Sequence, residues 1–129
     1  MRILQPPDWA EPRGYSNGVV ASGQIIFISG QIGWDAQCKF QSTDFVEQAR
    51  QALLNIVAIL AEGGGKPEHI TRLTWYVVDK KEYLNAGKAL GAVYREVMGK
   101  HYPAMTAVQV TALVEDVARV EIEATAVIP

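Results

Sequence analysis

A chain of 129 residues, nearly half of them hydrophobic, has the length of one ordinary domain and can bury roughly two thirds of its unfolded surface. A net charge of −2 with no Lys/Arg cluster argues against a phosphate-rich partner, so no nucleic acid is expected. One cysteine, Cys38, excludes an intrachain disulfide, and there is neither a signal-peptide pattern nor a bilayer-length apolar run.

The expectation is therefore a single domain over residues 1–129, cytoplasmic and with no membrane partner. The opening segment carries Pro6, Pro7, Pro12, Gly14, Asn17 and Gly18 and reads as a loop or edge extension leading into a strand. Val19-Val20-Ala21 and Gln24 to Ser29 flank Ser22-Gly23, which predicts a hairpin. Gly30 and Gly33 break the second strand. Residues from about 43 to 62 form the clearest helix, with Phe45, Val46, Ala49, Leu53, Ile56, Val57 and Leu60 at spacings of three and four. Asp44 with Glu47 fits a capping pair, and Gly63-Gly64-Gly65 supplies the exit.

Residues 70–78 read as a strand, rich in β-branched and aromatic side chains. A second helix is predicted from about 82 to 98, on a stripe of Tyr83, Gly87, Leu90, Tyr94 and Val97. After Pro103, closing strands are predicted at about 106–113 and 118–127; in the last, Val120, Ile122, Ala124 and Ala126 alternate with polar neighbours. The order ββαβαββ gives an α+β fold class, a single sheet with two helices on one face.

Ile25 to Ile28 and Trp75 to Val78 are apolar at odd and even positions alike, so both faces of these strands should be buried. Two helices cover one face. The other would be a large apolar patch, and such patches mark interfaces. A homo-oligomer is the expectation, and light scattering tests it.

Five segments in one order then resemble the RidA (YjgF) family: Gly14-Tyr15-Ser16; Phe27-Ile28-Ser29-Gly30-Gln31-Ile32; Gln48-Ala49 with Leu54-Asn55; Pro103-Ala104; and Val120 to Ala124. The resemblance implies a chorismate-mutase-like fold and a homotrimer with sheets packed inward. It also implies small-molecule sites in the clefts between subunits. Deaminases of that family hydrolyse enamines and imines such as 2-aminoacrylate to keto acids and ammonia. By the same resemblance Glu121 is the candidate catalytic carboxylate, able to position a water and shuttle a proton. Tyr15, Ser29, Gly30, Met105 and Thr106 are the candidate substrate-binding residues. Strand alternation puts Glu121 and Glu123 on one face; the resemblance selects Glu121.

One position departs from the pattern. Where the family's deaminases carry Pro-Ala-Arg-Ser, this chain has Pro103-Ala104-Met105-Thr106. A guanidinium meets a carboxylate with two parallel charge-assisted bonds, and methionine has no donor. The loss is worth on the order of 1.5–3 kcal/mol of carboxylate binding. Arg13 is the nearest cation in sequence that could compensate.

The remaining candidates read as structure. His101 is expected to be a solvated loop histidine, His69 a surface residue and Cys38 an inert loop thiol. Trp34 either walls a cleft or packs an interface. No His/Cys/Asp/Glu spacing suggests a metal, and no cofactor is expected. The three-glycine run follows a helix and is no phosphate cradle. Three functions are weighed. The first is a metabolite-binding protein that hydrolyses an imine or enamine lacking the usual α-carboxylate. The second is a non-catalytic binding or protective module. The third is a ribonuclease or translation inhibitor, which the acidic balance disfavours. Survival of function in Glu121→Ala separates the first two.

Overall fold

The computed structural model describes all 129 residues. Its main sheet holds β3 (Gln24–Ile32), β6 (Val120–Ile128), β4 (Ile70–Val77) and β5 (Ala104–Gln109), in that order across the sheet. β6 is antiparallel to both neighbours and β4 is parallel to β5. Between β3 and β4 comes α1 (Phe45–Glu62); between β4 and β5 come α2 (Lys80–Asn85) and α3 (Gly87–Met98). The α+β expectation is met, with the long helices on one face of the sheet.

Why α1 forms follows from its ends and its stripe. The Asp44 carboxylate accepts from the Glu47 backbone N–H at 3.0 Å. At the exit Gly64 takes φ +81°, a left-handed value glycine adopts freely. Phe45, Ala49, Ala52, Leu53, Ile56 and Leu60 are buried along one face. They meet Leu73, Trp75 and Val77 of β4 and Val120, Ile122, Ala124 and Ala126 of β6 in one continuous core, joined by Leu90, Tyr94 and Met98 of α3.

Two motif residues of α1 turn out to hold loops. Gln48, almost fully buried, accepts from the Arg119 N–H at 2.8 Å and donates to the carbonyls of Val117 and Ser42 at 2.9 and 3.1 Å. Asn55 donates to the carbonyls of Ile32 and Trp34 at 3.2 and 2.8 Å. Together they tie the chain leaving β3 and the chain entering β6 to one helix.

Three expectations are corrected. The hairpin over Ser22-Gly23 does not form: β2 (Gly18–Val20) pairs with β1 (Arg2–Leu4), the segment read as a loop, in a ribbon of its own. Gly23, at φ +142°, packs against the Ile128 carbonyl at the end of β6, so the chain enters the main sheet beside β6 and not beside β2. The second helix is two: α2 is capped by Asp79 and ends at Asn85, Ala86 is the residue between, and Gly87 opens α3. Glycine is a poor helix former, which is why the break falls there. The strand expected at 106–113 runs instead from Ala104 to Gln109.

The face away from the helices carries Ile25 and Phe27 of β3, which are 55% and 79% exposed in the single chain. Their alternate neighbours, Ile26 and Ile28, pack on the core. The double-sided apolar pattern of β3 is thus real, and one of its sides lies open.

Candidate functional site

Register fixes the face of each candidate, because residues directly paired across strands share a side of the sheet. Glu121 stands opposite Tyr76 of β4, on the open face. Thr106 pairs with Thr74, which pairs with Glu123, so all three share that face. Met105 pairs with Leu73, which pairs with buried Ala124. Met105 therefore lies on the helix side. Within one chain, Met105 and Glu121 look away from each other.

On the open face, a bulge in β3 between Ile28 and Gln31 carries Ser29 and Gly30. The Glu121 carboxylate lies directly against Gly30: a Cβ added there would overlap Glu121 Oε2 and sit 2.8 Å from its Cδ. The absent side chain is what lets the carboxylate rest on the backbone. Gln31 Nε2 donates to the carbonyl and hydroxyl oxygens of Ser29 at 3.1 and 3.3 Å. The two glutamates differ. Glu123 accepts from the Tyr76 hydroxyl at 2.7 Å, and this bond, then burial and carboxylate charge, hold the phenol above its ordinary range. Glu121 has no side-chain hydrogen-bond partner and is half-buried.

Tyr15, 38% exposed, lies at the other edge of the sheet. Its neighbour Ser16 is buried, bridges Ala104 and donates its N–H to the Pro103 carbonyl at 3.0 Å. The Ser16 hydroxyl donates to the Tyr102 carbonyl. Strands lie about 4.8 Å apart, so β5 is about 14 Å from β3. The structure thus brings together Ser29, Gly30 and Glu121, and separately Met105 with the Arg13-Gly14 loop. It does not bring the two groups together in one chain.

The second group borders a cavity of about 330 Å³ on the helix side. Trp75, Leu90 and Met105 form its inner wall, Tyr83 and Tyr94 flank it, and Arg13 and Arg95 line it from exposed positions. Burial pushes the Tyr94 phenol far up and the Tyr83 phenol up, so both are neutral. The Trp75 indole N–H is the one buried side-chain polar atom without a partner. Sequence reasoning named Met105 and Arg13 here and missed Trp75 and Arg95. The signal available was the pair of glycines, Gly87 and Gly91, four apart on one helix, which leaves a gap instead of a wall.

One further reading changes, and the others gain a place in the fold. His101 is no solvated residue: its Nε2 lies 2.7 Å from the Ile70 carbonyl, a contact in which the ring donates. His69 Nδ1 accepts from the Lys66 N–H at 2.9 Å and caps a short 3-10 turn. Trp34 packs on Phe40 within its own loop, ring centroids 5.8 Å apart. Cys38 is exposed, at the turn that the Asp35 carboxylate organises by accepting from Gln37 and Lys39. No helix is long and apolar enough to cross a membrane.

Comparison with known proteins gives a consistent picture. The family model of endoribonuclease L-PSP matches residues 9–128. A 2-iminobutanoate/2-iminopropanoate deaminase of Capra hircus is 38% identical over 114 residues, covering 88% of this chain and 79% of that protein. Among solved structures, YyfB of Yersinia pestis, a Rid-family protein of unknown function, superposes with a TM-score of 0.84 at 30% identity, over 98% of both chains. E. coli TdcF with bound serine does so with a TM-score of 0.70 at 31% identity, over the whole of both chains.

Proposed function

Since the chain belongs to the endoribonuclease L-PSP (Rid/YjgF) family, we propose that it binds a small metabolite between the subunits of a homotrimer and hydrolyses a carbon–nitrogen double bond there. The observation that carries this reading is the contrast between the two glutamates. Glu123 is engaged by Tyr76, whereas Glu121 is unengaged and rests on the bare backbone of Gly30. An unengaged carboxylate can accept a proton from water as the water oxygen bonds to the imine carbon. It can pass that proton to the nitrogen, giving a carbinolamine, and then move the hydroxyl proton to the amino group as the C–N bond breaks, so that both water protons end on nitrogen and a carbonyl compound and ammonia leave. Ser29 and Gly30 flank the carboxylate, while Tyr15 and Met105 belong to the side of the cleft supplied by a neighbouring subunit; Thr106 lies on the Glu121 face at the far edge of the sheet and is left out of this cleft.

The relative from Capra hircus is named for 2-imino acids, yet Met105 offers no donor to an α-carboxylate beside the reacting carbon. The substrate of this chain therefore lacks that group, and deamination of 2-aminoacrylate is not carried over. A direct assay supplies imines in situ, from amines with an amine oxidase and from amino acids with an amino-acid oxidase, and follows ammonia. The expected result is acceleration of the first class, lost in Glu121→Ala and kept in Glu123→Gln. Acceleration that survives Glu121→Ala, or none at all, refutes the hydrolase and leaves a binding module.

A further inference from the structure

We infer that α2 is a hinged lid over the helix-side cavity, latched by the Glu82–Arg119 ion pair and turning at Gly87, and that lifting it uncovers the Trp75 indole N–H. The inference goes beyond the reading above and holds whether or not the cleft is catalytic, because it concerns access to the hollow and not the reaction in it.

The first support is position and attachment. α2 puts two side chains on the cavity: Tyr83 flanks it and Leu84, 68% exposed, stands at its rim, over a floor of buried Trp75 and Leu90. Six residues are too few to hold a helix by its own bonds, and none of the six is buried. Only Tyr83, with Ala86 after it, packs on the core, and both are half-buried. The other tethers are polar. Arg119 Nε donates to both Glu82 oxygens at 2.8 and 2.9 Å, and the Lys80 N–H donates to Gln109 Oε1 at 2.8 Å. The Glu82 and Arg119 side chains are 27% and 38% exposed. Water competes for such a pair, so it closes a lid without locking it.

The second is the hinge. Ala86 alone separates α2 from α3, and Gly87 follows, where a Cβ would meet nothing within 4 Å. A turn at Gly87 has open space to move in, and glycine widens the backbone angles open to it. Beyond it α3 is fixed to the core by Leu90, Tyr94 and Met98. The third is the Trp75 N–H. It is the one buried side-chain polar atom without a hydrogen-bond partner, and Tyr83 of α2 packs edge-on to its ring, centroids 6.1 Å apart. A buried donor without an acceptor costs free energy that any acceptor recovers. With α2 down the protein offers none. Lifting α2 lets a water, or the acceptor atom of an entering molecule, take that bond. Closure is thus opposed from inside, and opening is coupled to occupancy of the hollow.

The test is hydrogen exchange of the Trp75 indole N–H in the whole chain, followed by NMR. The signal is identified by its loss in Trp75→Phe, and its rate is referred to that of the exposed Trp9. Exchange of a buried N–H reports the population of the open form. In Glu82→Gln the Trp75 N–H should exchange about threefold to fivefold faster, the opening that loss of a part-exposed ion pair allows. The backbone N–H groups of Leu73 and Val77 in β4 should keep their rates. Gln109→Ala, which removes the other polar tether, should act in the same direction. Raising the salt to about 1 M should speed exchange in the parent and leave Glu82→Gln unchanged, because salt screens only a pair that is present. An unchanged Trp75 rate in both variants overturns the inference, and so does a parent indifferent to salt. A rise that the β4 N–H groups share overturns it too, since that is unfolding of the core and not movement of a lid.

Discussion

Gly30 and Glu121 act as a pair, and the pairing is measurable. In Gly30→Ala the new methyl collides with the Glu121 carboxylate, so either the bulge or the side chain must move. The expected cost is about 1–2 kcal/mol, in the range of overpacked sites. Shortening the partner removes the collision, so Gly30→Ala with Glu121→Ala should be less destabilised than the sum of the single changes. A double-mutant cycle by urea unfolding reads this directly; strict additivity would mean the two do not touch. Tyr94 makes a second residue-scale case. Its hydroxyl donates to the His101 carbonyl, and burial holds the phenol well above the value near pH 10 at which an unfolded tyrosine ionises. A folded-state value that is raised contributes stability fully present below about pH 10 and lost as the pH climbs towards the folded value. Tyr94→Phe should therefore be less stable at pH 8, by about 1 kcal/mol for the lost hydrogen bond, and should lose less than the parent between pH 9 and 11. A parallel decline would place the alkaline loss elsewhere.

At the level of elements, α1 was fully legible because its signals are local: a cap, a stripe at helical spacing and a glycine exit. The failures share a cause. Which strand β2 pairs with depends on the far end of the chain, where Gly23 meets Ile128, and no local pattern contains that. β1 has three residues, too few for alternation to register. The α2–α3 break was signalled by Gly87, which the apolar stripe overrode. Gln48 and Asn55 were visible as motif residues, but only the structure shows them as ties between helix and loops. Gln48→Ala removes three bonds at once and leaves the Arg119 N–H, at the mouth of β6, without its acceptor. A cost of about 2–3 kcal/mol is expected, since an orphaned buried polar group loses most of its solvation. The urea midpoint should fall with the slope unchanged, because the folded state stays compact. A loss below about 0.5 kcal/mol, the level of ordinary surface changes, would mean water replaces the amide.

For the whole molecule, the sequence motifs identified the family and nominated residues for a site, but did not give their arrangement. Strand parity says that Met105 and Thr106 point opposite ways; it does not say which of them shares a face with Glu121. That depends on register through β4, and the register puts Met105 and Glu121 on opposite faces. If both contribute to one cleft, the contact between subunits joins two different surfaces. Such head-to-tail contacts close into rings, and the exposed Ile25 and Phe27 of the open face supply apolar area for one. This arrangement makes a prediction that an isolated-chain site does not. Glu121→Ala keeps the helix-side cavity, whereas Gly87→Phe fills it and keeps the carboxylate; each alone should be inactive in the ammonia assay. Co-expressed in equal amounts, they form mixed rings. A given cleft is intact when a chain with Glu121 faces a chain with an open cavity, a half chance on each side, so about a quarter of the clefts should be restored in a closed homo-oligomer. Recovery near that fraction places one cleft across two chains. No recovery in rings shown to be mixed by mass spectrometry confines the site to a single subunit and removes Met105 from it.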